Sequence, residues 1–272
     1  MGAPKSFKTG MLLKTAMEYV RQGFKVYYVD CENGINSIRT RGYQAIMECE
    51  GKELRRDNNP EILADLVEKW QMQGGDLQIG FFPAHTKCVN DVKAELMYLK
   101  DEEGWEPDII CWDYPDLMLA NDHSKRKEKR INIQHVYFDI INLNVEMDIF
   151  SFALSQVSKN AVNKTVINMK DFSEDFGKAM NAHAAFATCR TQEEVEAGFA
   201  RLVPVVQREG EMFTGSNQVV MRFEEKKMVI EEIDYDEAVD YLEDAGFGGS
   251  RKKEAPKRVT KEEVANKQVS DD

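Results

Sequence analysis

Residues 2–9 read Gly-Ala-Pro-Lys-Ser-Phe-Lys-Thr. This is one residue away from G-x-x-x-x-G-K-[ST], the spacing of a loop that cradles phosphates. Such a loop needs backbone N–H groups turned inward at a helix N-terminus. It also needs a lysine reaching the terminal phosphates and a hydroxyl for magnesium. Lys8 and Thr9 fill the last two roles, Gly2 permits the first tight turn, and Lys5 lies inside the loop. Phe7 is the departure, because the glycine usual there relieves crowding and takes backbone angles that other residues avoid. A Lys-Thr pair opening an ordinary helix fits the same residues, so the motif needs support from elsewhere.

That support lies at the ends of three apolar stretches. "VYYVDCEN" ends on Asp30 and Glu32, and a carboxylate in that place can polarise an attacking water. "DIICWDY" ends on Asp113, where a magnesium-positioning carboxylate would sit. "FALSQ" ends on Ser155 and Gln156, a polar pair suited to sensing a phosphate. Singly, these are turn formers and solvated loop charges. Together they match the rule that open α/β sheets bind ligands at the carboxyl ends of their strands.

The elements that would position them alternate along the chain. "KTGMLLKTAMEYVRQG" carries apolar residues at helical spacing and is closed by Gly23. "FKVYYVDC", "LQIGFF", "PDIICWDY" and "DIFSFALSQ" read as buried strands. A weak helix in "NGINSIRTRGYQAIMECEG" and stronger ones in "NPEILADLVEKWQMQGG", "VNDVKAELMYLKDEEG" and "INIQHVYFDIINLNVE" lie between them. The pattern predicts an α/β fold, a mainly parallel sheet flanked by helices. "ARLVPVVQ" and a hairpin turning around Glu224–Lys227 predict antiparallel edge strands on the C-terminal side. Residues 1–247 then form one core, and the charged stretch 248–272 has too few apolar residues to fold and reads as a disordered tail.

Composition narrows the classes. At 272 residues and 42% hydrophobic, the chain can bury one sizeable core. A net charge of −12, with pI near 5.0, argues against bulk non-specific nucleic-acid binding and leaves room for a local basic patch. The five cysteines are scattered without C-x-x-C spacing, which predicts reduced thiols and gives a zinc site no support. With no long apolar run and no signal peptide, the expectation is a soluble, cytoplasmic protein without a membrane partner.

From Gly2 to about Ile233, in order, the chain resembles the motor domain of the DnaB-type replicative DNA helicases of bacteria and phages, a branch of the RecA-like ATPases. "GAPKSFKTGMLLKTA" is similar to the phosphate loop of the P-loop ATPase core, although the strand that precedes it in the family has no counterpart before Gly2. "KVYYVDCENGINSIRTR" is similar to the strand, catalytic glutamate and following arginine. "DIICWDYPDLM" resembles the D-Y-x-x-L-[MI] strand, the most specific match, and "FALSQVSKNA" the S-Q-x-x-[RK] segment. "VPVVQREG" is similar to K-x-R-x-G, with Val206 in the lysine's place.

The resemblance implies ATP and Mg2+ as cofactors. It implies that Gly2, Lys5, Lys8 and Thr9 hold the nucleotide, and that Thr9 and Asp113 hold the metal. Glu32 is then the base, Gln156 the sensor, and Arg208 the arginine finger lent to a neighbouring subunit. It also implies a ring-shaped homo-oligomer, expected as a hexamer, working with single-stranded DNA and other replication proteins, in the bacterial host's cytoplasm if phage-encoded. Two stretches would then face a central channel: Lys125, Arg126, Lys127, Lys129 and Arg130 after the Asp113 strand, and Lys159, Lys164 and Lys170 after Gln156. Positive loops suit backbone tracking, although charged loops are also commonly just solvated. A RecA-like recombinase or loader ATPase, and a degenerate nucleotide-binding interaction module without turnover, remain the alternatives. "DYPDLM" and "SQVSK" favour the helicase over the recombinase.

Overall fold

The computed structural model describes residues 7–122, 129–156, 181–208, 218–234 and 236–237, with 129–130 described by backbone alone. Gly2, Lys5, Lys125, Arg126, Lys127, Lys159, Lys164, Lys170 and the stretch 248–272 lie outside the described residues.

The first half builds the predicted alternation. Helix α1 (Lys8–Arg21) leads into strand β1 (Lys25–Asp30), helices α2 (Ile35–Met47) and α3 (Asn59–Met72), and β2 (Asp76–Phe81). Helix α4 (Val89–Glu103), β3 (Ile109–Asp113), α5 (Lys129–Met147) and β4 (Phe150–Ala153) follow. The four strands are parallel in the order β2-β1-β3-β4. Alternate residues of a strand face opposite ways, so both faces need cover. Val26, Tyr28, Ile109 and Cys111 pack against Leu13, Ala16, Met17 and Ile38 of α1 and α2. Tyr27, Val29, Ile110 and Trp112 pack against Val92, Leu96, Val136 and Ile140 of α4 and α5. Burying each such side chain is worth about 1.5–3 kcal/mol.

The antiparallel strands expected on the C-terminal side are present and form a sheet of their own. It runs β5 (Ala184–Cys189), β6 (Phe199–Gln207), β7 (Val219–Glu224), β8 (Val229–Ile233) in that spatial order. The turn between β7 and β8 falls where the sequence places it, and Lys227 N–H donates to the Glu224 carbonyl. Two elements were not foreseen. Strand β5, "AAFATC", is half alanine, a weak strand former. Helix α6 (Gln192–Glu196) is five residues long and rests on a capping box, in which the Thr191 hydroxyl accepts from Glu194 N–H and the Glu194 carboxylate accepts from Thr191 N–H. Among the described residues, no helix is long and apolar enough to cross a membrane.

Helix α1 joins the two sheets. Its buried face lies on the parallel sheet, and near its far end the Tyr19 ring sits 5.5 Å from Phe152 of β4. At its start, Phe7 and Met11 pack on Ala200, Met221 and Phe223 of the second sheet. Phe7 has φ 60°, ψ 25°, the left-handed conformation that glycine adopts freely. Its ring is 5.5 Å from Phe223 and folds over Gly10, where an added Cβ would come within 2.3 Å of the ring tip. The missing glycine at position 7 is thus matched by a glycine one turn later, which makes room for the bulky side chain.

This sets the sign of one substitution. Glycine to alanine inside a helix ordinarily stabilises by about 1 kcal/mol. Here Gly10→Ala should instead destabilise by roughly 1–3 kcal/mol, because the Phe7 ring has to leave its packed position. Urea unfolding measures this, and a more stable variant would contradict the packing described.

Candidate nucleotide site

The strand order locates a crevice. The connection leaving β1 runs to β2 on one side, and the connection leaving β3 runs to β4 on the other. The gap beyond the carboxyl ends of β1 and β3 is therefore the topological switch point, where open α/β sheets bind ligands. Asp30 and Asp113 end those two strands directly opposite one another. Both are buried, at 0% and 1% exposure, although neither is a residue that interiors normally accept unpaired.

Each carboxylate has its own donors. Asp113 accepts from the Tyr28 hydroxyl at 2.9 Å and the Thr9 hydroxyl at 3.2 Å, with a longer contact from Asn33 Nδ2 at 3.5 Å. Burial pushes the Asp113 carboxyl up to about 6; the Tyr28 and Thr9 hydrogen bonds oppose this, and Asp30 and Glu32 add to it. Asp30 accepts from the backbone N–H groups of the loop that follows it, residues 32–34.

The predicted residues sort into groups. Lys8 opens α1 and is drawn below the usual lysine range by burial, while the carboxylates of Asp113, Glu32 and Asp116 act in the opposite direction. Lys8, Thr9, Glu32 and Asp113 therefore share one electrostatic neighbourhood. Glu32 is exposed on its loop just past β1. Gln156 follows β4, whose Ala153 pairs with Trp112, so it continues past the same end of the sheet. Arg208 belongs to the second sheet, just after β6, where its N–H donates to the His183 carbonyl at 2.9 Å. Lys129 and Arg130 open α5.

Sequence reasoning missed the residues that brace the site. Tyr28 sits two residues before Asp30 on the same strand face, a spacing that the strand period could have flagged. Asp116 accepts from Tyr137 of α5 at 2.9 Å and from Ser155 at 3.4 Å, tying together the ends of β3 and β4. No local pattern announces that pairing, because its members are 21 and 39 residues from Asp116.

No family model matches the sequence. Solved structures match the fold. One, described as an ATPase domain, aligns with a TM-score of 0.71 at 16% identity, covering 86% of this chain and 83% of its own. That of a DnaB-like replicative helicase, described with its interactions with primase, gives 0.69 at 15% identity. This chain shares its fold with both of these structures. The second match covers 86% of this chain, which spans 57% of that longer protein.

The crevice holds residues of the types that could bind a magnesium nucleotide. The Thr9 hydroxyl and Asp113 carboxylate are hard oxygen donors already within hydrogen-bond reach, as magnesium requires. Two further carboxylates, Glu32 and Asp116, act at the same sheet end, negative charge that a divalent cation would relieve. Lys8 places a cation beside these carboxylates.

The raised Asp113 pKa has a defined sign. With metal chelated, the folded protein protonates Asp113 more readily than the unfolded chain, whose value is near 3.8. The group's contribution to stability is fully present below about pH 4 and is lost as pH rises through about 6. Asp113→Asn cannot ionise. Between pH 4 and 6 the parent should lose about 2 kcal/mol relative to this variant, read as diverging denaturation midpoints. Parallel profiles would show that Asp113 ionises normally.

Proposed function

We propose that this chain is the motor subunit of an ATP-dependent DNA helicase, hydrolysing ATP at subunit interfaces and moving on single-stranded DNA during replication. The observation that carries this reading is the convergence of Lys8, Thr9, Glu32 and Asp113 on one crevice, in a fold shared with helicase ATPase domains.

ATP is the substrate. Lys8 donates its ammonium protons to phosphate oxygens, where charge is spread over the transferring group. Thr9 and Asp113 would hold a magnesium ion, which would supply charge neutralisation for the phosphates. Glu32 takes a proton from the attacking water on its carboxylate oxygen, and its exposure on the loop gives water access. Gln156 senses the terminal phosphate from the neighbouring strand end. Arg208 acts on the nucleotide of an adjacent subunit, which fits its place on the second sheet. Gly2 and Lys5 complete the phosphate loop.

The same reading takes residues 1–247 as the motor core and 248–272 as a solvated tail. It gives Lys125, Arg126, Lys127, Lys129, Arg130, Lys159, Lys164 and Lys170 to single-stranded DNA. The assembly is a homo-oligomeric ring, a hexamer, in the cytoplasm of a bacterial cell, phage-encoded or not. The DnaB-like relative is described with primase, so a primase is the first replication partner to test.

Glu32→Gln should keep magnesium–ATP binding and lose turnover by roughly 10²–10⁴-fold. Arg208→Ala should lose roughly 10³-fold or more, and mixing the two variants should restore part of the activity at interfaces that regain both residues. Unchanged turnover in Glu32→Gln would remove the assigned base. A monomeric Arg208→Ala protein as fast as the parent would remove the shared site and favour the interaction-module reading.

A further inference from the structure

We propose that Asp30 is the positioning residue of the hydrolytic step, fixing the loop that carries Glu32; this rests on the function proposed above.

Asp30 is fully buried at the end of β1, and its carboxylate is given over to residues 32–34 of the following loop. Its Oδ1 accepts from Glu32 N–H at 3.2 Å, Asn33 N–H at 3.0 Å and Asn33 Nδ2 at 3.1 Å. Its Oδ2 accepts from Gly34 N–H at 2.5 Å. Four donors on one carboxylate hold residues 32–34 in a single shape. Gly34 is needed for that shape, since φ there is 86° and L side chains rarely adopt it. Asn33 extends the hold with long 3.5 Å contacts, donating from Nδ2 to Asp113 Oδ2 and accepting on its side-chain Oδ1 from Arg41 of α2. The loop that presents Glu32 is thus clamped against the carboxylate assigned to the metal. Glu32 itself is exposed, so its direction is set by its backbone far more than by side-chain packing.

The chemistry of the clamp requires a carboxylate. Asparagine has the same shape, but one of its two terminal atoms is a donor. In Asp30→Asn, either Gly34 N–H or the group of donors on Oδ1 would face an NH2 group. At least one hydrogen bond is lost, and a donor–donor clash replaces it. Displacing a catalytic group by about 1 Å can cost on the order of 100-fold in rate. Lys8, Thr9 and Asp113 are left in place, so nucleotide binding is spared.

The test uses the full chain and follows turnover, nucleotide affinity and amide hydrogen exchange in Asp30→Asn. The expected result is a kcat lowered roughly 10- to 100-fold, KM and the dissociation constant for magnesium–ATP within about twofold, and faster exchange at Glu32, Asn33 and Gly34. Adding Asp30→Asn to Glu32→Gln should lower kcat no further, because both changes act through one carboxylate. Asn33→Ala, at a partly exposed residue, removes a side-chain donor and should shift kcat and exchange less in the same direction; this variant covers the case in which Asp30→Asn does not fold. Faster exchange with an unchanged kcat would reduce Asp30 to a structural cap. Nucleotide affinity falling in step with kcat would mean that Asp30 acts on the metal or phosphates instead. An unsubstituted protein without turnover would overturn the functional reading itself; a normal parent paired with a normal Asp30→Asn would overturn only the positioning role.

Discussion

Two carboxylates buried side by side, Asp30 and Asp113, are the constraint around which this end of the sheet is built. Carboxylates in that setting repel each other and lose their hydration, so each needs dedicated donors. Asp113 finds them by reaching across the sheet to Tyr28 and up to Thr9 on α1. Asp30 finds them in its own following loop. The two solutions differ in consequence. The donors to Asp113 are hydroxyls, which can rotate away when a cation arrives. The donors to Asp30 are mostly backbone N–H groups, which cannot. One carboxylate is available to a ligand, and the other is committed to structure.

The start of α1 shows how a non-glycine residue can occupy a left-handed position. For an L-residue that conformation costs on the order of 1–2 kcal/mol. At Phe7 the cost is offset by a ring packed on Phe223, among Met11 and the second sheet's apolar residues, over the bare Cα of Gly10. The same contacts secure the helix to both sheets. Lys8 and Thr9, the next two residues, are therefore held at the crevice by packing on their N-terminal side and by the parallel sheet beneath.

Much of this was legible in the sequence, and the exceptions have physical reasons. The helical spacing of Leu12, Leu13, Ala16, Met17 and Val20, and the continuous apolar runs of β1 and β3, report local periodicity directly. Polar residues ending those runs point to the crevice because a parallel sheet collects its carboxyl ends on one side. That the antiparallel strands form a separate sheet depends on long-range pairing, to which local pattern is blind. Strand β5 escaped notice for its alanines. The brace of Tyr28 on Asp113 spans 85 residues, and the seat of Phe7 on Phe223 joins the two ends of the described chain.

The ends of β3 and β4 are tied to α5 by a second knot of hydrogen bonds, and its geometry limits how these parts can move. The Asp116 carboxylate accepts from Tyr137 on one oxygen and from Ser155 on the other, while Tyr137 also reaches the Leu154 carbonyl at 3.3 Å. Hydrogen bonds to a charged acceptor are worth about 1.5–3 kcal/mol, more than an ordinary exposed contact. Sliding α5 along the sheet would break the Tyr137 bond to the half-buried Asp116 carboxylate. The knot stays intact only when α5, the residues after β4 and the Asp116 turn after β3 move together. The lower-energy displacement is therefore the concerted one, in which α5 carries Asp116, Ser155 and Gln156 with it. Asp116 also acts on the charge of Lys8, so that displacement changes the electrostatics around the start of α1.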